Sequence, residues 1–133
     1  MNTAKKAESY RNDRLEHIFF LQESFDSDLA QLRELPQISM EEWVQKEVLA
    51  IVAELGELLN EINFKWWKNP RPVNRERVKE ELVDLLHFFV SLCLKVDLGA
   101  EELYQGYLKK NRENFRRQQG LSSCSDYQAR TEE

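Results

Sequence analysis

The sequence predicts an all-α protein whose antiparallel core resembles a four-helix bundle. Only 4 of its 133 residues are glycine and 3 are proline, which is too few for a β-sandwich or barrel that turns about every 8–12 residues. Four long segments carry apolar residues at the spacing of an amphipathic helix. Short connections join these segments, as in a bundle whose consecutive helices are antiparallel.

The first two segments have clear helix boundaries. The first covers about residues 11–35, and Pro36 ends its apolar pattern. The second begins near Met40, because Ser39 and Glu42 have the spacing of a capping box, in which each side chain accepts a hydrogen bond from the other residue's backbone N–H. It continues to about Asn63.

The second half of the chain contains the other two segments. A loop over residues 65–74 contains Trp66, Trp67 and two prolines, and the most apolar segment follows over about residues 75–96. A turn at 97–99 leads to the fourth segment, about residues 100–119. We predict one helical domain over residues 1–121 and a disordered polar tail over residues 122–133. Because helices of about 20–25 residues are long for so small a core, we expect a second subunit to cover part of the apolar surface.

Composition excludes several classes of protein. The net charge of −5 disfavours a nucleic-acid partner. The longest apolar run, residues 85–94, is too short to span a membrane. The polar start of the chain does not resemble a signal peptide, and two cysteines do not form a disulfide framework. We therefore expect a cytoplasmic location and no membrane partner.

The net charge conceals two oppositely charged segments. Residues 41–61 carry six Glu and one Lys, whereas residues 107–117 carry five Lys or Arg and one Glu. The two segments could attract each other. They could also hold a metal ion and a polyanion, respectively.

Two pairs of carboxylates are unusual for a solvent-exposed helix face. Glu54 and Glu57 form one pair, and Glu81 and Asp84 form the other. The two members of each pair share a helix face beside apolar positions, where like charges repel. Divalent cations that prefer oxygen ligands would offset that cost. Ordinary surface acids remain the alternative explanation.

The fourth segment offers a complementary polar face. Lys110, Asn114 and Arg117 lie at positions i, i+4 and i+7, with Asn111 adjacent. Such a face could clamp a polyphosphate, or it could simply be solvated. His87 follows Asp84 at the spacing of a di-iron motif, but the pattern fits better a core histidine or one that supports a metal ligand without binding the metal.

Five short stretches resemble those of a known family. They are residues 54–61 (Glu-Leu-Gly-Glu-Leu-Leu-Asn-Glu), 64–67 (Phe-Lys-Trp-Trp), 81–88 (Glu-Leu-Val-Asp-Leu-Leu-His-Phe), 21–26 (Leu-Gln-Glu-Ser-Phe-Asp) and 110–120, which begins Lys-Asn-Arg-Glu-Asn. Together they resemble the dimeric all-α dUTPase family, which belongs to the MazG-like nucleoside triphosphate pyrophosphatase superfamily. The resemblance covers about residues 15–121 and implies the all-α architecture of that superfamily.

The resemblance also implies a metal site and a reaction. By this resemblance, Glu54, Glu57, Glu81 and Asp84 bind Mg²⁺ ions that bridge the triphosphate. Glu54 or Glu57 orients or deprotonates the water that attacks the α-phosphorus, which releases pyrophosphate. The predicted function is therefore hydrolysis of dUTP to dUMP and pyrophosphate.

The resemblance further implies a set of substrate contacts and a homodimer. Gln22 and Trp67 would hold the base, Asp26 belongs to the uracil-side motif, and Asn60 lies on the inner wall. The phosphate-side residues are Lys110, Asn111, Asn114 and Arg117. Whether each site lies within one subunit or across two stays open.

Two alternative functions stay open at this point. The first is a MazG-like pyrophosphatase that acts on dCTP or on a broad range of nucleotides. The second is a non-catalytic helical module whose acidic face binds a protein partner.

Overall fold

The computed structural model describes residues 13–123, which form four α-helices and no β-strand. The helices are α1 (Arg14–Leu32), α2 (Met40–Glu61), α3 (Arg75–Lys95) and α4 (Ala100–Gln118). The all-α prediction is confirmed, and the predicted bounds differ from the observed ones only at the helix ends. The predicted start of the first helix at residue 11, and the predicted tail from residue 124 onwards, lie outside the described residues.

Polar side chains define where the first three helices begin. The capping box at Ser39 is confirmed: its Oγ accepts from the Glu42 N–H at 3.2 Å, and Glu42 Oε2 accepts from the Ser39 N–H at 3.1 Å. The side chains of Asp13 and Asn74 also cap α1 and α3, in each case by accepting from two backbone N–H groups of the first turn. These contacts satisfy backbone N–H groups that a helix start leaves unpaired.

Helix α3 packs against both α1 and α2. Glu47 near the start of α2 bonds to Ser91 near the end of α3, and Glu61 at the end of α2 pairs with Arg77 at the start of α3. These pairs make α2 and α3 antiparallel. On the other side, Gln22 and Asp26 of α1 bond to residues 87 and 91 of α3, so α1 and α3 run in the same direction. The first three helices therefore run up, down and up.

Few apolar side chains of these three helices are fully buried. Phe19, Val90 and Cys93 are buried, and burial raises the pKa of the Cys93 thiol, which makes it a poor nucleophile. Many large apolar side chains stay exposed. The most exposed of those on the three helices include Leu21, Phe25, Leu32, Leu49, Val52, Leu82 and Val83. The apolar content therefore exceeds what one chain buries.

The chain divides after Leu98 into two compact units. Helices α1 to α3 belong to the first unit and α4 belongs to the second. The single domain over residues 1–121 stays a prediction. Within residues 13–123, no helix combines the length and the apolar character that crossing a membrane requires.

Candidate functional site

Three carboxylates from two helices converge in the first unit. Glu54 of α2 and Glu81 and Asp84 of α3 each offer an oxygen, and these oxygens lie within 4.8 Å of one another. The antiparallel register of α2 and α3 brings them together. Glu54 and Glu81 are half-buried, whereas Asp84 is exposed to solvent. The cluster is therefore open on one side.

The negative charges of these carboxylates repel one another. Partial burial raises the pKa of Glu81, and the negative charges of Glu54, Glu57 and Asp84 raise it further. A hydrogen bond from Glu81 to Glu54 also favours the protonated form. A divalent cation would replace this repulsion with attraction, and carboxylate oxygens are the ligands that Mg²⁺ prefers. The donor set therefore fits such an ion.

Glu57, the fourth predicted metal ligand, lies outside the cluster of three oxygens. It follows Glu54 by one helical turn, it is exposed, and its charge still acts on Glu81. The structure therefore brings together three of the four predicted carboxylates. The roles of all four stay predictions.

A second polar group crosses the three helices beside this cluster. Gln22 Nε2 donates to Asp26 Oδ1 at 2.8 Å, and His87 Nδ1 lies 2.9 Å from Gln22 Oε1. The hydroxyl of Ser91 lies 2.7 Å from Asp26 Oδ2 and 2.9 Å from Glu47 Oε1. Five side chains thus form one connected hydrogen-bond chain.

A lysine lies beside the middle member of this chain, Asp26. Lys95 Nζ lies 3.9 Å from Asp26 Oδ2 and 4.5 Å from the centroid of the Trp43 ring. The Asp26 carboxylate thus has a cation nearby, while the ring holds that cation in place.

An apolar cavity of about 390 Å³ opens between α1 and α3 at Gln22 and His87. Its other walls are Ile18, Leu21, Phe25, Val83 and Leu86. Gln22 itself is only 7% exposed. Apolar walls with two polar groups are typical of a site for a small heterocycle.

A separate, larger cavity of about 590 Å³ lies at the loop between α2 and α3. Asn60 and Trp67 line it, together with the cations Lys65, Lys68 and Arg71. The Trp66 and Trp67 rings meet edge to face at 4.6 Å, and Trp66 is 85% exposed. The structure thus brings Asn60 and Trp67 together, but Gln22 lines a different cavity.

The predicted phosphate-side residues lie on α4. Lys110, Asn111 and Asn114 are exposed, whereas Arg117 Nε lies 3.3 Å from Glu113 Oε1. The hydroxyl of residue 122 donates to Glu113, and this bond, followed by the arginine charges, lowers the pKa of Glu113. Arg117 is therefore oriented by its own helix.

Sequence reasoning missed Glu47 and Ser91. Glu47 lies one helical turn from both Trp43 and Ile51, so it interrupts the apolar stripe of α2, and this is the signal that could have revealed it. Ser91 interrupts the apolar stretch of α3 in the same way. Polar groups on an apolar face require partners when they are buried.

Comparison with known proteins places the chain in a family. The dCTP pyrophosphatase of Enterobacteria phage LZ5 is 32% identical over 74 residues, which cover 56% of this chain and 43% of that protein. The dCTP pyrophosphatase of Enterobacteria phage T4 is 38% identical over 47 residues, which cover 35% of this chain and 28% of that protein. The matched regions thus span less than half the length of either relative.

The chain matches a protein-family model but no solved structure. No solved structure gives a significant match. A family model described as dUTPase matches residues 14–100, which include all three helices of the first unit and the whole carboxylate cluster. The chain therefore belongs to the dUTPase family.

Proposed function

We propose that the protein is a Mg²⁺-dependent nucleoside triphosphate pyrophosphatase that hydrolyses dUTP to dUMP and pyrophosphate. The observation that carries the proposal is the convergence of Glu54, Glu81 and Asp84 within 4.8 Å, inside the region that matches the dUTPase family. Three acidic oxygens from two helices are a costly arrangement without a cation. A triphosphate substrate that binds with such cations would use this arrangement.

The three clustered carboxylates would hold Mg²⁺. When bound, the ion would neutralise phosphate charge and lower the pKa of a coordinated water. Asp84 is the most exposed of the three and so offers its oxygen on the open side of the cluster. The half-buried Glu54 and Glu81 would supply the other two ligands.

We assign the proton-accepting role to Glu57. It lies one turn from Glu54 but outside the three-oxygen cluster, so its carboxylate stays available to accept a proton from water. Glu54 is the alternative base, but it would have to act as a ligand as well. A Glu57→Gln variant should therefore lower kcat while retaining stabilisation by Mg²⁺.

We assign the base and the phosphates of the nucleotide to different cavities, because a base needs apolar walls and phosphates need cations. The cavity at Gln22 has apolar walls and hydrogen-bonding groups that suit a pyrimidine. The loop cavity carries Lys65, Lys68 and Arg71 and therefore suits phosphate oxygens. We propose that Trp67 and Asn60 contact the substrate from the loop, and that Lys110, Asn111, Asn114 and Arg117 of α4 supply further phosphate contacts.

A second candidate substrate is dCTP, because both phage relatives are named as dCTP pyrophosphatases. Uracil and cytosine have the same ring size and differ in the hydrogen-bonding groups of one edge. The cavity therefore fits either base, and discrimination depends on the polar groups at Gln22 and His87.

Release of pyrophosphate from a panel of eight nucleoside triphosphates tests both candidates. We expect hydrolysis with Mg²⁺ that stops in EDTA and in the Glu54→Gln and Asp84→Asn variants. Glu80→Gln is the matched control, because it removes the same charge from an exposed neighbour outside the cluster. Fastest hydrolysis of dUTP supports the proposal, and fastest hydrolysis of dCTP supports the second candidate. Absence of Mg²⁺-dependent release from any nucleotide refutes both.

We also propose that two copies of the chain form a dimer. Exposed apolar residues on α1 to α3, including Phe25, Leu49 and Val83, would be covered by a second copy. Sedimentation velocity should give the mass of two chains. A monomer at all concentrations would contradict this part of the proposal.

A further inference from the structure

The contacts of Ser91 require a proton on one of two carboxyl groups. Its Oγ lies 2.7 Å from Asp26 Oδ2 and 2.9 Å from Glu47 Oε1. A serine hydroxyl has one hydrogen to donate, and an ionised carboxylate can only accept. If both carboxyls were ionised, one of these two short contacts would join two acceptors. One of the carboxyls must therefore donate to Ser91.

The surroundings indicate which carboxyl holds the proton. Asp26 Oδ1 accepts a hydrogen bond from Gln22 Nε2, and the Lys95 ammonium lies 3.9 Å from Asp26 Oδ2, so donor groups face both oxygens of Asp26. Glu47 is only 8% exposed, and Ser91 is the hydrogen-bond partner that the structure gives it. Burial raises the pKa of Glu47, and the negative charge of Asp26 raises it further, whereas Ser91 and the Lys95 charge lower it.

We propose that Glu47 is an uncharged carboxylic acid in the folded protein at neutral pH, and that it is a positioning residue for Gln22 and His87. Its O–H donates to Ser91 Oγ, and the Ser91 O–H donates to Asp26 Oδ2. This proton arrangement leaves Asp26 Oδ1 to accept from Gln22 Nε2, so that the Gln22 Oε1 faces His87 Nδ1.

The proton on Glu47 affects the apolar cavity at Gln22 and His87, although Glu47 does not line that cavity. Because Gln22 Oε1 only accepts, His87 Nδ1 must carry a hydrogen, so a ring that carries one hydrogen holds it on Nδ1 and leaves Nε2 as an acceptor. The Gln22 amide cannot flip without breaking its bonds to Asp26 and His87. Since Gln22 and His87 line the apolar cavity, the cavity presents donors and acceptors in fixed positions. Only this last step rests on the proposed function, which assigns the cavity to the base.

Infrared spectroscopy with ¹³C-carboxyl-labelled glutamate tests the protonation of Glu47. At neutral pH we expect a carboxylic-acid carbonyl band that disappears in Glu47→Gln but persists in Glu81→Gln, a variant that identifies any band added by the raised pKa of Glu81. The control variant Glu41→Gln, which removes an exposed glutamate from the same helix, should keep the band. Absence of the band from the wild-type protein, or its survival in Glu47→Gln, would overturn the proposal.

Nitrogen NMR of His87 tests the positioning role. His17 is the other histidine of the chain, so a His17→Gln background gives one set of ring signals. We expect the Nδ1–H form in the wild type and in Glu47→Gln, whose amide still donates to Ser91. Glu47→Leu and Ser91→Ala should lose that preference. Ser24→Ala should keep it, because the Ser24 hydroxyl donates to a backbone carbonyl of its own helix.

Either of two NMR results would overturn the positioning role. One is an unchanged His87 tautomer in a folded Ser91→Ala protein, and the other is loss of the Nδ1–H form in Glu47→Gln. Circular dichroism establishes that each variant is folded. Neither spectroscopic readout requires turnover, so these results stand apart from the nucleotide panel. Where the panel finds activity, Glu47→Leu should change the ratio of dUTP to dCTP kcat/KM by about fivefold, the effect of one misoriented hydrogen bond. Glu47→Gln should restore the wild-type ratio, and an unchanged ratio in Glu47→Leu would also count against positioning.

Discussion

Asn63 closes the loop that carries Trp67, and its replacement has a calculable effect. Its Nδ2 donates to the backbone carbonyl of Arg71 at 2.6 Å, and its Oδ1 accepts from the Arg71 N–H at 2.9 Å. Asn63 also has a φ of 57°, in the left-handed region that most side chains avoid. Asparagine tolerates that region better than other residues with a Cβ. One residue thus provides two hydrogen bonds and an unusual backbone conformation.

Two variants separate these contributions. Asn63→Gly loses both hydrogen bonds, which are exposed and contribute about 0.5–1 kcal/mol each, but it adopts the left-handed conformation freely. Asn63→Ala loses the same bonds and adds a backbone cost of about 1 kcal/mol. We therefore expect a loss of about 1–2 kcal/mol in the free energy of unfolding for Asn63→Gly, and of about 2–3 kcal/mol for Asn63→Ala.

Urea unfolding measures this difference directly, and tryptophan fluorescence reports the loop at the same time. Asn63→Ala should unfold at a lower urea concentration than Asn63→Gly, and both at a lower concentration than the wild type. If Asn63→Gly lost as much free energy of unfolding as Asn63→Ala, the argument from the φ of Asn63 would be refuted. Two variants as stable as the wild type would refute the argument from the hydrogen bonds.

Three further predictions concern a helix cap, a buried acid and the tryptophan pair. Ser39→Ala should cost about 1 kcal/mol of unfolding free energy in urea, because it removes the capping box of α2. The folded protein holds the Glu47 proton at a pH where the unfolded chain has released it. Thermal stability should therefore fall as pH rises from about 4.5 towards the raised pKa of Glu47. Glu47→Gln should reduce that fall and leave the part that the raised pKa of Glu81 contributes. Trp67 lines the loop cavity, whereas Trp66 is 85% exposed. A non-hydrolysable nucleotide should therefore change the fluorescence of Trp66→Phe, which retains Trp67, but not that of Trp67→Phe. Equal responses of the two variants would contradict this assignment.

The helices could be predicted from the sequence because their signals are local. Apolar spacing marks the interior of each helix, and residues such as Ser39 and Pro36 mark where a helix begins or a pattern ends. The pairing of Glu54 with the acids of α3 was also predictable in outline. Which of the four carboxylates converge was not, because that depends on the register between α2 and α3, and the register leaves Glu57 outside the cluster.

The hydrogen-bond chain could not be predicted because its members are far apart in sequence. Ser91 is 65 residues from Asp26 and 44 residues from Glu47. Periodicity shows only that Ser91 interrupts an apolar stretch, and it does not identify a partner. The separation of Gln22 from Trp67 into two cavities has the same origin, since their relative position follows from packing and not from local pattern.

The central claim is that the cluster of Glu54, Glu81 and Asp84 supports metal-dependent release of pyrophosphate. The most direct test measures pyrophosphate released from dUTP and from dCTP, with Mg²⁺, by the wild type, by Asp84→Asn and by the control Glu80→Gln. We predict release by the wild type and by Glu80→Gln, and loss of release in Asp84→Asn and in EDTA. Full activity of Asp84→Asn, or no Mg²⁺-dependent release by the wild type, would contradict the claim.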